Sequence, residues 1–391
     1  MITAFVDMVG LLMVIPLLPF YAVKLGGGGL MVGVLVSSFA VAQLLSAPLW
    51  GRVSDRHGRR PALLIGLGAA AIAYVVFAFA DSLWLLLLSR LVQGAGGGTV
   101  GVVQAYVADA TEPENRAKSL GWLSAATNVG VMIGPALGSW SLRFGEAAPG
   151  LLAAVLCAVN MAFAWYFLHE SNVVTAEERR TRTTVRPRAA VLRVLSAPGE
   201  PAARMIWIYA IGMGAFQGMT AILALFLARP PFAMTEENVW MVFSFNGTIS
   251  VLARAVLLGR ALDWLGEARL SRVGQVMLAA GLAALPFAGS WPALAVCMAM
   301  VPLGTAFTFP CVTAILSRVI DARERGVYMG VQQSFGGVAR VLAPLWAGWA
   351  FDHLGVGVPF WTGAALVLGT VFMGFGIEEY TRPKAEPAVV G

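Results

Sequence analysis

Gly51-Arg52-Val53-Ser54-Asp55-Arg56-His57-Gly58-Arg59-Arg60-Pro61 joins two long apolar runs and holds almost every charge between Leu25 and Ala80. By itself it reads as a tight polar turn. Glycine relieves strain where helices cross closely. Asp55 and Arg59 stand at the i, i+4 spacing of a helical ion pair, and Pro61 suits a first helical turn. Four arginines beside a membrane-length run also mark the cytoplasmic side of a bilayer. A plain basic inter-helix loop shares these features, so the meaning of the stretch depends on the runs around it.

Those runs dominate the chain. Of 391 residues, 58% are hydrophobic and 12% charged, with a mean hydropathy of +0.76. A soluble domain carries about a quarter charged residues, so half the usual charge is missing, and what remains is concentrated in short loops. This is the pattern of an integral membrane protein. The net charge of +6 does not make it a nucleic-acid binder, because the basic residues are split among loops and form no continuous face. Cys157, Cys297 and Cys311 sit inside apolar runs without paired spacing. They make neither a disulfide framework nor a thiolate metal site and read as small buried hydrophobes. No cleavable signal peptide is expected: no Lys or Arg precedes the first apolar run, which is long enough to span.

A span needs roughly 20 apolar residues. That rule predicts twelve: 2–23, 30–51, 61–80, 83–107, 119–141, 149–169, 203–228, 236–259, 270–289, 291–316, 327–349 and 357–378. Barrel strands need only ~9–11 alternating residues, so the spans are helices. With both termini in the cytoplasm, the inner loops and tail, together with Arg204 and Arg272 just inside the adjoining spans, hold 21 of the 27 Lys and Arg and the outer loops hold 3, a bias that fixes the orientation. The longest connection, 170–202, is rich in Arg, Thr, Glu and Pro and divides the spans six and six. It reads as a cytoplasmic linker with a short surface helix. The expected organisation is a six-helix bundle at 1–169, the linker at 170–202, a second bundle at 203–378 and a cytoplasmic tail at 379–391.

The two halves repeat. Gly51, Asp55 and Gly58 recur as Gly259, Asp263 and Gly266, shifted by 208, and Arg116, Gly121 and Pro135 recur as Arg325, Gly330 and Pro344, shifted by 209. A shared offset at both ends of the half points to duplicated bundles, an architecture of secondary transporters whose site lies between the repeats near mid-membrane. The predicted fold is therefore an all-α membrane protein, with twelve transmembrane helices in two pseudo-symmetric six-helix bundles.

Polar groups inside a membrane are costly and so are candidates for function. Asp7 is the only acidic residue well inside a first-half span. A low dielectric favours the neutral form of a carboxyl, which suits reversible protonation; a cap or structural partner near the helix end is the competing reading. Arg90 lies about eight residues into the fourth span, ~12 Å deep. Its guanidinium cannot shed its proton and must meet an anion, carbonyls or water. Asp7 and Arg90 differ by ~9 Å along the membrane normal, so a direct pair is not expected. Arg340 is similarly deep and either snorkels outward or lines a cavity. Arg254 is expected to snorkel to the cytoplasmic face. Ala126, Gly130, Gly134 and Gly138, four apart, form a small-residue stripe for close helix contact, and Pro135 bends that span. The second half has Ala339, Ala343, Pro344 and Ala347 in those places. Gln104, Asn128, Asn160, Gln217, Asn246 and Gln332 add neutral polar points, while Met213, Phe216, Phe243, Phe307 and Phe335 are candidate apolar walls.

Together these residues resemble the major facilitator superfamily across essentially the whole chain. The 51–61 stretch is similar to that superfamily's signature loop between spans 2 and 3. The resemblance implies that Gly51, Asp55, Gly58 and Arg59 belong to a cytoplasmic gate partnered by Asp109. Arg90 to Gly98 resembles the span-4 motif whose arginine is tied to proton coupling. Gly130, Gly134, Pro135 and Gly138 resemble the span-5 signature of the drug–proton antiporter branch, with Ser139 where that pattern usually has a second glycine. Asp7-x-x-Gly10, followed by Pro16-Leu17-Leu18-Pro19, looks like tetracycline and multidrug exporters. The second-half loop keeps Asp263 but lacks the basic cluster after Gly266, which implies a weaker gate.

The expected function is a proton-coupled antiporter of the cell inner membrane that exports small amphipathic organic compounds by alternating access. Asp7 and Arg90 are the expected coupling residues. Gln104, Asn128, Met213, Phe216, Gln217, Asn246, Phe307, Gln332 and Arg340 are the expected cavity set. Opening to the outside is expected to break the Asp55–Arg59–Asp109 network. The alternative is a proton-coupled exchanger or symporter for an organic anion or sugar. The expected partners are a small-molecule substrate, protons and the lipid bilayer, with no nucleic acid, cofactor or metal, and the chain acting as a monomer. A membrane-embedded enzyme is not expected: the spans hold no nucleophile with a base and no phosphate loop, and His57, His169 and His353 sit at membrane edges.

Overall fold

The computed structural model describes residues 1–97, 100–112, 115–168, 170, 187–321 and 324–377. The expected tail at 379–391 and residues 171–186 of the expected linker lie outside them. The described residues are helices and turns, with no strand among them.

Among the described residues, fourteen of the fifteen α-helices build twelve passes. Helices α1 (Ile2–Val14) and α2 (Leu18–Lys24) make the first, α3 (Gly29–His57) the second and α4 (Arg59–Ala78) the third. The fourth is α5 (Leu83–Gly97) with α6 (Val100–Asp109), followed by α7 (Arg116–Ser141) and α8 (Ala148–Phe167). After α9 (Pro187–Ser196), a short helix between the halves, the seventh pass is α10 (Pro201–Leu227). The eighth is α11 (Trp240–Leu252), continued through a wide π-type turn at Ala253–Leu257 into the start of α12 (Leu258–Ala284). The rest of α12 is the ninth pass, and α13 (Trp291–Val319), α14 (Arg325–His353) and α15 (Val358–Met373) complete the set.

Among the described residues, nine stretches are long and apolar enough to cross a membrane by length and composition alone. The eighth and ninth passes run together in one of them, α15 has only 16 residues, and α14 carries Gln332, Gln333, Ser334, Arg340 and Asp352. Trp84, Trp165 and Trp264 are exposed near helix ends, where aromatic residues meet the membrane interface.

Two expected boundaries shift by six residues. Span 2 was expected to end at residue 51, but α3 runs to His57; span 8 was expected to end at 259, but its helix runs to a break at Gly266. The charged last turns remain helical because they reach water, where their side chains are solvated. Both helices stop at a glycine with the same unusual backbone, φ 103° and ψ 160° at Gly58 and φ 70° and ψ 165° at Gly266. A side chain rarely adopts that conformation, so the repeated glycine is a turn requirement.

The repeat also governs packing. The first pass leans on the fifth and sixth, the second on the fourth, and the third on the sixth. In the second half the seventh leans on the eleventh and twelfth, the eighth on the tenth, and the ninth on the twelfth. The halves meet through two reciprocal helix pairs, α3 with α14 and α7 with α11. Cys157, Cys297 and Cys311 are buried and unpaired.

Candidate functional site

A cavity of about 710 Å³ lies between the halves. Its walls come from the first, second, third, fourth, seventh and eleventh passes, with α5 and α6 both contributing to the fourth. That volume is typical of a site for a drug-sized ligand. Three charged side chains line it: Asp7, Arg90 and Arg340. Five glutamines join them, Gln43, Gln93, Gln104, Gln217 and Gln333, on a mainly apolar wall that includes Met8, Leu11, Phe39 and Tyr74.

One face of the molecule carries the charged turns around Gly58 and Gly266; the opposite face shuts the cavity. There the Asp352 carboxylate accepts from the backbone N–H groups of Gly29 (2.9 Å) and Leu30 (2.8 Å) at the start of α3. Ser37 Oγ donates to the Val341 carbonyl at 2.6 Å, and Ser139 Oγ to the Glu236 carbonyl at 2.8 Å. Lys24 pairs with Glu146 at 3.0 Å and with Glu236 at 2.9 Å. Backbones touch along this seam: a Cβ on Gly33 would strike the Pro344 carbonyl, and one on Gly348 the Gly29 carbonyl. On the other side of the cavity, Arg254 Nη1 donates across the halves to Asn128 Oδ1 at 3.5 Å. The cavity therefore reaches toward the charged face, past Pro48, Gln104 and Ser334.

Asp7 is half-buried on the cavity wall, with no hydrogen-bond or ion-pair partner among the described residues. One turn on, Gly10 leaves room for the Tyr74 ring, since a Cβ there would sit 3.4 Å from the Tyr74 hydroxyl oxygen. Arg90 is 2% exposed, yet its Nε and Nη2 have no hydrogen-bond partner among the described residues. Its guanidinium lies 5.6 Å from the Phe77 ring centre, a weak substitute for a counter-ion. No Asp7–Arg90 ion pair is formed among the described residues.

The small-residue stripe of α7 packs on the helix that carries Asp7. A Cβ on Gly130 would come within 2.9 Å of the Phe5 carbonyl oxygen, one on Gly134 within 2.8 Å of Leu12 Cβ, and one on Gly138 would strike the Met13 carbonyl. Pro135 lies inside the same helix. Close backbone contact of this kind replaces side-chain volume with dispersion attraction.

On the charged face, Arg59 opens α4 and gathers three acceptors: Asp55 Oδ1 at 2.7 Å, Ser54 Oγ at 2.9 Å and, through Nε, Asp109 Oδ2 at 3.0 Å. The Asp55–Arg59 pair spans the Gly58 break and is not within one helix. Gly51 is helical with open space beside it, so the tight geometry rests on Gly58. All three charged residues belong to the first half. Glu170 was missed by the sequence reading. Its carboxylate accepts from the backbone N–H of Arg59 (2.7 Å) and Arg60 (3.1 Å), capping α4 across 111 residues.

The second half has its own pair. Arg318 Nη2 meets Glu267 Oε1 at 2.7 Å; Glu267 stands 208 residues after Arg59, and Arg318 stands 209 after Asp109. The charges are exchanged.

The remaining expected cavity residues divide. Gln104, Gln217 and Arg340 line the cavity. Asn128 accepts from Arg254 and donates to the Ser124 carbonyl at 2.8 Å. Met213 and Phe216 pack beside hydrophobic clusters, and Phe307 belongs to one with Leu270 and Cys311. Asn246 Oδ1 is buried without a partner among the described residues. Gln332 is fully buried against Thr313. Arg254 does not snorkel: it is half-buried in the wide turn of the eighth pass and donates to Ser250 Oγ as well as to Asn128. Its helix extends six residues beyond the expected end, which sets Arg254 deeper than the apolar run implied.

A family model described as Major Facilitator Superfamily matches residues 1–273 and 232–390. The tetracycline resistance protein, class C, of Escherichia coli is 30% identical over 347 residues, 88% of this chain and 86% of its own. Multidrug resistance protein 1 of Bacillus subtilis (strain 168) is 28% identical over 381 residues, 95% of this chain and 92% of its own. Among solved structures, a peptide transporter, POT, in complex with sulfate superposes with a TM-score of 0.76 at 15% identity, covering 97% of this chain and 94% of that one. The human organic anion transporter MFSD10 (TETRAN) gives 0.69 at 24% identity, covering 95% and 97%. At these identities the two structures speak for the fold alone.

Proposed function

Because the chain belongs to the major facilitator superfamily, and so is a membrane transporter of small molecules and not an enzyme, we propose that it works as a proton-coupled antiporter exporting small amphipathic organic compounds. The observation that carries this reading is the Asp7 carboxyl. It stands on the cavity wall without an ionic partner among the described residues, where a proton and a substrate group compete for one place.

The membrane is the cytoplasmic membrane, with the charged face and both termini inside. The bundles at 1–169 and 203–378 rock against each other, tethered by 170–202, and one chain suffices. With the Asp352, Ser37 and Lys24 bonds in place the cavity is inward-facing. Substrate enters from the cytoplasm while Asp7 is ionised. Opening the opposite face breaks those cross-half bonds, external protons neutralise Asp7, and the substrate leaves. Arg90, buried in the same cavity wall, is the second coupling residue. The Arg59 network stiffens the inner end of the first half, and the Gly130–Gly134–Gly138 stripe lets α7 and α1 move as one piece.

Tetracycline, after the names of the relatives, is the first probe. In proteoliposomes with a pH dye inside, a tetracycline gradient should drive protons the opposite way, and Asp7→Asn should abolish that exchange. Tetracycline flux that leaves the internal pH unchanged would overturn antiport.

A further inference from the structure

We propose that the substrate is a zwitterionic amphipath, its positive group held at Asp7 in the first half and its negative group at Arg340 in the second. The proposal rests on the antiport reading and goes beyond it by naming the substrate class and a specificity-determining residue.

Two guanidiniums, of Arg90 and Arg340, face one carboxylate, of Asp7, in the same cavity. Neither arginine can discard its charge. Arg90 is 2% exposed with two nitrogens unbonded among the described residues. Arg340 is half-buried and makes no ion pair among them. A cationic ligand therefore meets one attractive charge and two repulsive ones. A buried cation that lacks a partner is costly, so the wall as built calls for a negative group.

A simple anion does not satisfy the exchange, because linkage between ligands is reciprocal. A proton on Asp7 makes the cavity more positive and so strengthens anion binding, and the two then travel together. Counter-transport needs a substrate that binds better when Asp7 is ionised, which means a positive group at the carboxylate. A molecule carrying both charges meets both demands: its cation competes with the proton, and its anion answers the arginines. Arg340 belongs to α14 and Asp7 to α1, so such a ligand spans the halves. Met8, Leu11 and Phe39 offer apolar surface for the body between its charged ends. The titratable groups near Asp7 on neighbouring helices are Tyr74 of α4 and Cys157 of α8, with Arg90 of α5 across the cavity.

The test uses the full chain in proteoliposomes and three compounds on one biphenyl body: amine plus carboxylate, amine alone, and carboxylate alone. The two-charge compound should bind best and drive protons the opposite way, more weakly as the pH falls. The acid should bind more tightly as the pH falls, without driving protons the opposite way. Arg340→Gln should weaken the two-charge compound about tenfold or more and leave the amine unchanged or improved, which also shows that the variant is folded; Arg340→Lys should restore part of the loss. An amine that exchanges with protons as well as the two-charge compound, with both indifferent to Arg340→Gln, would overturn this inference and leave antiport standing. If the two-charge compound crosses without proton movement, the antiport reading itself falls.

Discussion

The two halves solve the same structural problems with the partners exchanged. In the first, Arg59 at the start of α4 reaches Asp109 at the end of α6; in the second, Glu267 holds the first place and Arg318 the second. Close helix contact is traded in the same way. In the first half the glycines are on α7 and press against α1. In the second they are on α10, where Gly214 and Gly218 face Ala339, Ala343 and Ala347 of α14. A duplicated fold keeps the contact, since attraction between opposite charges and the room for two backbones do not depend on which helix supplies which part. The halves are unequal in strength, however. Arg59 is largely buried, at 12% exposure, and binds three acceptors, whereas Arg318 is 53% exposed with one ion pair.

That inequality is open to measurement by thermal unfolding of the purified protein. Gly138→Ala should cost about 3 kcal/mol, because the new Cβ lands on the Met13 backbone. Gly218→Ala, with its nearest neighbours 3.3–3.4 Å from the added Cβ, should cost under about 1 kcal/mol. Equal losses would show that the two seams are equally tight. Next in size, Arg59→Gln should cost about 2 kcal/mol through its lost charged hydrogen bonds. Glu267→Gln should cost under about 1 kcal/mol and should lose even that in high salt. The smallest effect belongs to the exchange itself. Glu267→Arg combined with Arg318→Asp should be at least as stable as the original, because an arginine at 267 gains Asp263 at i−4. A double variant worse than either single change would show that the charges are not interchangeable.

The count of passes was legible because each needs a long apolar run and such runs are hard to disguise. The last turns at His57 and Leu265 were not, since charged residues past the hydrocarbon continue a helix without apolar signal. Gly58 and Gly266 were legible as a pair; Glu267 and Arg318 were hidden because there the repeat preserves the attraction and not the residue types. Which polar residues face the cavity was half readable. Asp7, Arg90, Gln104, Gln217 and Arg340 line it, but Asn128, Asn246 and Gln332 turn elsewhere, and Gln43 and Gln333 were overlooked. Helices that are apolar on every side show no preferred face. Glu170 caps a helix more than a hundred residues away, a contact that no local pattern announces. Asp352 had a signal that went unused: an acid in the last turn of a helix is disfavoured by the local dipole and so needs donors from another element.

The meeting of α3 and α14 has a mechanical consequence. Where Gly29, Gly33 and Gly348 lie under opposing carbonyls, the backbones meet without a side chain between them, and Asp352 and Ser37 add hydrogen bonds across the seam. Parting such a contact exposes backbone and polar groups that water satisfies almost as well, so it costs less to open than the same contact packed with leucines.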